Sequence, residues 1–226
     1  MQTGRSGRGL RNVTRRIVIS AAALMCSIGW GGWRPADAGQ GGASAAPTMN
    51  FFVTSKGLGD GGNLGGIAGA DYHCQQLAAA AGSQRTFYAY LSTRPANGTT
   101  TLHGRDRIGK GPFYNAKGTM VAKSLDELHD KAAAFTKESA LTEQGEMVAM
   151  HDILTGSQPN GTAYTDGMDH TCNGYTSNRT TGSVQVGHSD RSGGSSWVSA
   201  HASKGCSQAN LASTGGAGQF YCFAID

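Results

Sequence analysis

Apolar residues repeat at helical spacing in one segment of the chain, residues 67–81. The repeating positions are Ile67, Ala70, Cys74, Leu77, Ala78 and Ala81. Their spacing of three or four residues predicts an amphipathic α-helix with Cys74 facing the core. Asp71 is expected in the first turn of this helix, where a carboxylate interacts favourably with the helix dipole. Gly82 is expected to end the helix.

The other predicted elements are short. Aromatic and β-branched residues predict strands over 49–55 and 86–93, and the C-terminal part offers four more candidates. Those four are 153–156, 163–165, 197–198 and 219–225. A second helix is predicted over 124–135, with Ser124 as N-cap and Glu127 as its capping-box partner, and Asn97-Gly98 is read as a turn. Helices early and irregular strands late predict an α+β fold.

The first 38 residues have the pattern of a cleavable export signal. A basic region containing Arg15-Arg16 precedes an apolar stretch, and Ala36-Asp37-Ala38 is typical of a cleavage site. The arginine pair resembles the twin-arginine signal, and an ordinary secretory signal remains the alternative. Residues 39–48 are then a flexible linker and 49–226 a single domain, in the periplasm or outside the cell.

Removing this segment changes the charge of the protein. The whole chain has a formal net charge of +4, but residues 1–38 hold six arginines and one aspartate. The remaining 13 basic and 14 acidic residues give a net charge of −1. That balance argues against nucleic acid and anionic membranes as partners. The apolar stretch is too short and too rich in glycine to anchor the protein across a bilayer.

Four cysteines remain when Cys26 leaves with the predicted signal: Cys74, Cys172, Cys206 and Cys222. An even number in an exported domain predicts disulfides rather than redox or metal chemistry. Four cysteines allow three pairings, and the spacing does not choose among them.

Several short runs occur in a characteristic order along the chain. They are Gly69-Ala70-Asp71-x-x-Cys74, Thr86-Phe87-Tyr88-Ala89-Tyr90-Leu91-Ser92, Asp106-Arg107-Ile108-Gly109, Gly111-Pro112-Phe113-Tyr114-Asn115, Gly156-Ser157-x-Pro159-Asn160-Gly161 and Tyr221-Cys222-Phe223. These runs resemble the endostatin domain of collagen XVIII and bacterial secreted proteins described as lectin-like. The resemblance covers about residues 50–226. It implies a C-type-lectin-like, endostatin-like fold with nested disulfides Cys74–Cys222 and Cys172–Cys206. Endostatin's zinc histidines lie near the start of its domain, where this chain has none, so zinc does not carry over.

The sequence offers little support for catalysis. Gly57-x-Gly59-x-x-Gly62 fits a dinucleotide fingerprint, but the predicted helix starts late and no acidic residue follows the next strand, so a nucleotide-cofactor enzyme is a remote alternative. No histidine pair has metalloprotease spacing and no serine lies in a nucleophile elbow, so no catalytic residue and no metal ligand is predicted. The seven histidines are read as scattered surface side chains. They are His73, His103, His129, His151, His170, His188 and His201.

A binding function is better supported. Calcium-dependent lectins bind the ion through a Glu-Pro-Asn or Gln-Pro-Asp loop and a Trp-Asn-Asp segment. The comparable segments of this chain are Gln158-Pro159-Asn160 and Trp197-Val198-Ser199. They contain too few carboxylates for a calcium site of this kind. Gln158-Pro159-Asn160 can equally be a structural turn. No cofactor is therefore predicted. The polar loop from 164 to 197 suits a calcium-free site, and the leading hypothesis is glycan recognition by the loop face around 158–169 and 190–197. Its candidate residues are Gln158, Asn160, Asp166, Asp169, Asp190 and Trp197. The alternative is an adhesion or matrix module that binds an extracellular protein.

Overall fold

The main sheet is organised around its longest strand, β8 (Gly216–Ala224), in the computed structural model, which describes residues 49–94, 100–130, 133–192, 194 and 196–226. The predicted signal, the linker and the Asn97-Gly98 turn lie outside these residues. The described elements, in chain order, are β1 (Phe51–Val53), α1 (Gly66–Ala80), β2 (Phe87–Ala89), a 3-10 helix (Gly104–Arg107), β3 (Phe113–Tyr114), β4 (Met120–Ala122), α2 (Leu125–His129), β5 (Asp152–Leu154), α3 (Cys172–Tyr175), β6 (Gln185–His188), β7 (His201–Ala202), α4 (Gln208–Ala212) and β8.

The strands form one large mixed sheet and one hairpin. The large sheet has the order β1-β8-β5-β6-β7, and β2 also pairs with β8. Strand β8 is antiparallel to β1 and β2 and parallel to β5, whereas β6 is antiparallel to both β5 and β7. Strands β3 and β4 form the separate hairpin. The α+β class predicted from the sequence is confirmed.

The core is divided between the two faces of β8, because successive side chains of a strand point to opposite sides. Phe220 and Cys222 belong to one apolar cluster together with α1, and Tyr221 and Phe223 belong to the other, which surrounds Trp197. All five residues are buried. A central strand covered on both faces reads as a continuous apolar run, which is why the sequence identified it.

Helix α1 lies within one residue of its predicted bounds at each end. Gly82 adopts φ 84° and donates to the carbonyl of Ala79, while Ser83 donates to the carbonyl of Ala78, so the helix ends as predicted in a Schellman motif. The role predicted for Asp71 is wrong. The helix starts at Gly66, so Asp71 lies beyond the first turn and is used for tertiary contacts instead.

Other predictions are corrected by tertiary contacts. Helix α2 stops at His129, not at 135, because Ala134 donates to the carbonyl of Val121 beside the β-hairpin. Ser124 caps α2 as predicted by accepting from the amide of Glu127. Residues 163–165 form only an isolated bridge, between Ala163 and Ser157, and 197–198 form a turn.

The disulfides pair as the resemblance implied. Cys74 of α1 is bonded to Cys222 of β8, and Cys172 of α3 is bonded to Cys206, just before α4. The first bridge joins the helix to the middle of the sheet, and the second closes a loop of 34 residues that contains β6 and β7. Within the described residues, no helix is both long and apolar enough to cross a membrane.

Candidate functional site

The predicted Gln158-Pro159-Asn160 segment forms a turn that is closed by its own side chains. The Gln158 amide donates to Thr162 Oγ1 at 3.2 Å and to the carbonyl of Ala163 at 2.7 Å. Asn160 Oδ1 accepts from the amide and the hydroxyl of Thr162. The polar side chains of Gln158 and Asn160 therefore stabilise the turn itself, which agrees with the interpretation of this segment as a structural turn.

Asp166 and Asp169 also have local partners. Asp166 Oδ2 lies 2.9 Å from His170 Nε2, and this hydrogen bond lowers the pKa of the exposed carboxyl. Asp169, which the sequence places beside His170, instead accepts from the amides of Thr171 and Asn173. Asp169 therefore shapes the start of α3.

Trp197 lies in the core, and this corrects its expected place on a binding face. Its side chain is fully buried, and its ring stacks on Phe135 with centroids 4.6 Å apart. The indole nitrogen donates to the carbonyl of Leu128 at 2.8 Å. An aromatic residue with every face packed and its N–H satisfied cannot contact a surface ligand.

The most unusual backbone of the protein is α3, which is one turn of left-handed helix. Cys172, Asn173, Gly174 and Tyr175 have φ values of 50°, 57°, 65° and 63°. Left-handed conformation costs about 1–2 kcal/mol for each residue other than glycine. Consecutive residues of this kind persist only where the surroundings impose them.

Each residue of the turn has such a restraint. Cys172 is held by its disulfide, and Asn173 is held at its amide by Asp169. The amide of Gly174 donates to Thr171 Oγ1. The buried hydroxyl of Tyr175 donates to the carbonyls of Ser92 and Thr155 at 2.8 and 3.0 Å. The strained turn is thus fixed to both the sheet and the disulfide loop.

An open polar cleft of about 430 Å³ lies directly on this turn. The described residues that line it are Asn173, Thr176, Ser177, Asn178 and Arg179. All but the half-buried Ser177 are exposed. Asn178 is positioned by a 2.6 Å hydrogen bond from its amide nitrogen to Asp60 Oδ1, and Asn173 by one from its amide nitrogen to Thr176. Asn173, Asn178 and Arg179 belong to the loop that the sequence favours for a calcium-free site.

A second group of side chains converges on Asp152, at the start of β5. The carboxylate is 1% exposed, and its Oδ1 lies 3.2 Å from His151 Nε2 and 3.4 Å from His188 Nε2. His201 Nε2 lies 3.4 Å from the same oxygen. A second carboxylate, that of Asp190, lies 3.9 Å from the other ring nitrogen of His151, Nδ1.

The register of the sheet explains this convergence. Asp152 is directly opposite His188 on the paired strands β5 and β6. His201 is opposite Val186, which shares a face with His188, so the two imidazoles are diagonal neighbours. The expectation of scattered surface histidines is therefore wrong for these three, and His188 is itself buried. Burial lowers the pKa of His188, and the Asp152 carboxylate opposes this effect.

Most of the described domain matches a known family. Residues 57–211, more than half of the chain, match the family model described as collagenase NC10 and endostatin. The protein belongs to this endostatin family. The match ends before β8, and the structure adds the bridge that joins this strand to α1.

Membership of the endostatin family supports a lectin-like or matrix-binding module with extracellular partners, rather than an enzyme. The glycine-rich loop agrees with this. A Cβ at Gly62 would lie 2.8 Å from Cys172 Sγ, and one at Gly61 would lie 2.2 Å from the carbonyl of Cys206. These glycines allow close packing against the protein's own disulfide loop. Two disulfides in an extracellular family also point to export.

Proposed function

We propose that the protein is an exported binding module that recognises a carbohydrate or glycoconjugate through the cleft formed by Asn173, Thr176, Ser177, Asn178 and Arg179. The observation that carries this proposal is the position of the cleft on the strained left-handed turn. Backbone strain that is fixed from several sides is typical of functional sites.

The chemistry of the lining suits sugar hydroxyls. The Arg179 guanidinium has no hydrogen-bond acceptor among the described residues, and it is exposed at the cleft. The amides of Asn173 and Asn178 offer both donors and acceptors, and Thr176 and Ser177 add hydroxyls. A ligand with many hydroxyl groups can pair with these groups without a calcium ion.

The groups that line the cleft are held in place before binding, which reduces the entropic cost of association. The amide nitrogens of Asn178 and Asn173 are already hydrogen-bonded to Asp60 and Thr176, so both side chains are oriented before a ligand arrives. The Cys172–Cys206 bridge and the hydrogen bond from the amide of Cys206 to the carbonyl of Arg179 fix both ends of the segment that lines the cleft. Fixing groups in advance lowers the entropy lost on association.

A glycan array tests the proposal. The wild-type protein is applied in calcium and in chelator, beside Arg179→Ala and Asn178→Ala. A matched control is Lys137→Ala, which removes an exposed cation that does not line the cleft. We expect the same glycans to bind the wild type and the control in both buffers, and both cleft variants to lose at least tenfold in affinity.

Three results would contradict the proposal. Equal binding by wild type and both cleft variants would place recognition elsewhere on the surface. No signal on any glycan, from protein with intact disulfides, would favour the alternative of a module that binds an extracellular protein. Binding that disappears only in chelator would show a calcium-dependent site.

A further inference from the structure

From the convergence of His151, His188 and His201 on the buried Asp152, we infer a binding site for a divalent transition metal, with zinc as the best fit. This inference goes beyond the proposed glycan cleft and does not rest on it. Ligand atoms of His151, Asp152 and His188 all lie within 4.8 Å of one another. His201 adds a fourth nitrogen 3.4 Å from Asp152 Oδ1.

The distances fit a shared central ion. In a tetrahedral zinc site with bonds of about 2.0–2.1 Å, neighbouring ligand atoms are separated by ~3.3–3.4 Å. The three imidazole nitrogens lie 3.2, 3.4 and 3.4 Å from the Asp152 oxygen. These three separations match the three edges of such a tetrahedron that meet at the oxygen. The nitrogen–nitrogen edges would have to shorten around a bound ion, and His201 would have to move most, because it lies outside the group whose ligand atoms are all within 4.8 Å of one another.

The same contacts do not have the geometry of hydrogen bonds. Neither carboxylate oxygen of Asp152 has a hydrogen-bond partner among the described residues, and neither does His188 Nε2. A carboxylate that has no hydrogen bond and is 1% exposed is costly to bury. A bound cation offsets that cost, because it is coordinated both by the carboxylate and by the lone pairs of the imidazole nitrogens around it.

The outer ring nitrogens are arranged as they are in metal sites. His201 Nδ1 lies 3.1 Å from the carbonyl of Ala202, which can only accept, so Nδ1 carries the proton and Nε2 presents its lone pair. His188 Nδ1 lies 3.4 Å from Ser196 Oγ, and His151 Nδ1 faces Asp190. Outer partners of this kind fix the tautomer and orientation of histidine ligands.

The donor set selects the class of metal. Three imidazoles and one carboxylate suit zinc and other late first-row ions, whereas calcium and magnesium prefer oxygen ligands throughout. The side chains of His151 and His201 are 42% and 38% exposed, so an ion can reach the site from solvent. A bound ion would join β5 to β6 and β7, the two strands inside the loop that the Cys172–Cys206 bridge closes.

The test is a zinc titration of the untagged, exported protein after treatment with chelator and dialysis. Isothermal titration calorimetry gives affinity and stoichiometry for the wild type, Asp152→Asn, His188→Gln and His201→Gln. The matched control is His170→Gln, which removes a histidine from another His–Asp pair, with Asp166. Circular dichroism checks the fold, and the partly exposed His201 provides a variant that keeps the core intact if the buried substitutions unfold the protein.

We expect the wild type and His170→Gln to bind one zinc ion with equal affinity, and the three cluster variants to lose at least tenfold. The same zinc is expected to raise the melting temperature of the wild type but not that of Asp152→Asn. No binding by the wild type at 100-fold excess zinc over protein, or equal binding by folded cluster variants, would overturn the site. Arg179→Ala is expected to bind zinc normally, so failure of the glycan cleft and failure of the metal site are distinguishable.

Discussion

Arg107 and Asp71 form a close ion pair in which one guanidinium nitrogen lies 2.7 and 2.6 Å from the two carboxylate oxygens. The arginine belongs to the 3-10 helix and the aspartate to α1. Asp71 Oδ1 also accepts from the amide of Ala89 in β2. The pair therefore joins three elements, and burial raises the pKa of the Asp71 carboxyl, with Arg107 opposing this shift.

Removing the carboxylate is expected to destabilise the domain. Asp71→Ala leaves the nearly buried guanidinium and the Ala89 amide without their partner, so we expect the free energy of unfolding to fall by about 3–5 kcal/mol. Urea denaturation measures this. The control is Asp126→Ala, whose carboxylate is 96% exposed and 3.6 Å from Arg105, and there the loss should stay below about 1 kcal/mol. A similar loss of unfolding free energy in both variants would contradict the role of Asp71 in joining α1, β2 and the 3-10 helix.

The two disulfides should differ in their contribution to stability. They close loops of 148 and 34 residues, for which the chain-entropy relation gives about 5 and about 4 kcal/mol. Paired Cys→Ser variants in guanidinium chloride should therefore show the larger loss for Cys74/Cys222. Mass spectrometry of the unreduced wild type should find none of these four thiols free. Two free thiols would contradict the nested pairing.

The inner bridge has a separate functional consequence. Cys172→Ser with Cys206→Ser releases the left-handed turn, so we expect glycan binding to fall even in a folded protein. Circular dichroism and the glycan array measure the two effects on the same sample. Unchanged glycan binding in that variant would show that the bridge does not organise the cleft.

Three buried tyrosines predict a loss of stability at high pH. Burial raises the pKa of Tyr90, Tyr175 and Tyr221 well above the model-peptide value of 10.0. Below pH 10 the phenols are neutral in both states. Above it they ionise first in the unfolded chain, so stability falls by about 1.4 kcal/mol per pH unit for each tyrosine.

Urea midpoints between pH 9 and 12 measure this slope. Tyr175→Phe is expected to reduce the slope by about one third, because one of the three ionisations is lost. Tyr72→Phe is the control, since that side chain is 67% exposed. A wild-type protein whose stability does not change above pH 10 would contradict the burial of these phenols.

The position of Trp197 separates a core residue from a ligand contact. Trp197→Ala should lower the free energy of unfolding by about 3–5 kcal/mol, because it opens a cavity beside Phe135 and Tyr221. Tyr72→Ala is the exposed aromatic control and should change little. Trp197→Phe should keep glycan binding. If Trp197→Phe lost glycan binding without losing stability, Trp197 would be a ligand contact rather than a core residue.

The elements with a strong local pattern could be predicted from the sequence. Helix α1 was predictable from its apolar spacing and Gly82, and β8 from its unbroken apolar run. Asp71 was misplaced because its role depends on Arg107 and Ala89, which are distant in sequence. Helix α2 was predicted too long because the contact between Ala134 and Val121 overrides helix propensity.

The candidate sites depended even more on tertiary structure. The disulfide pairing came from the resemblance, since the spacing alone allowed three solutions. His151, His188 and His201 meet only through the register of β5, β6 and β7, so no local spacing motif marked them. The one available signal was Asp152, a charged residue beside a histidine at the start of an apolar strand.

The metal centre is tested most directly by a crystal structure of the protein grown with zinc, with diffraction measured at the zinc absorption edge. We expect one anomalous peak about 2.0–2.2 Å from Asp152 Oδ1 and from the Nε2 atoms of His151, His188 and His201. A zinc-saturated crystal with no peak among these four residues would contradict it.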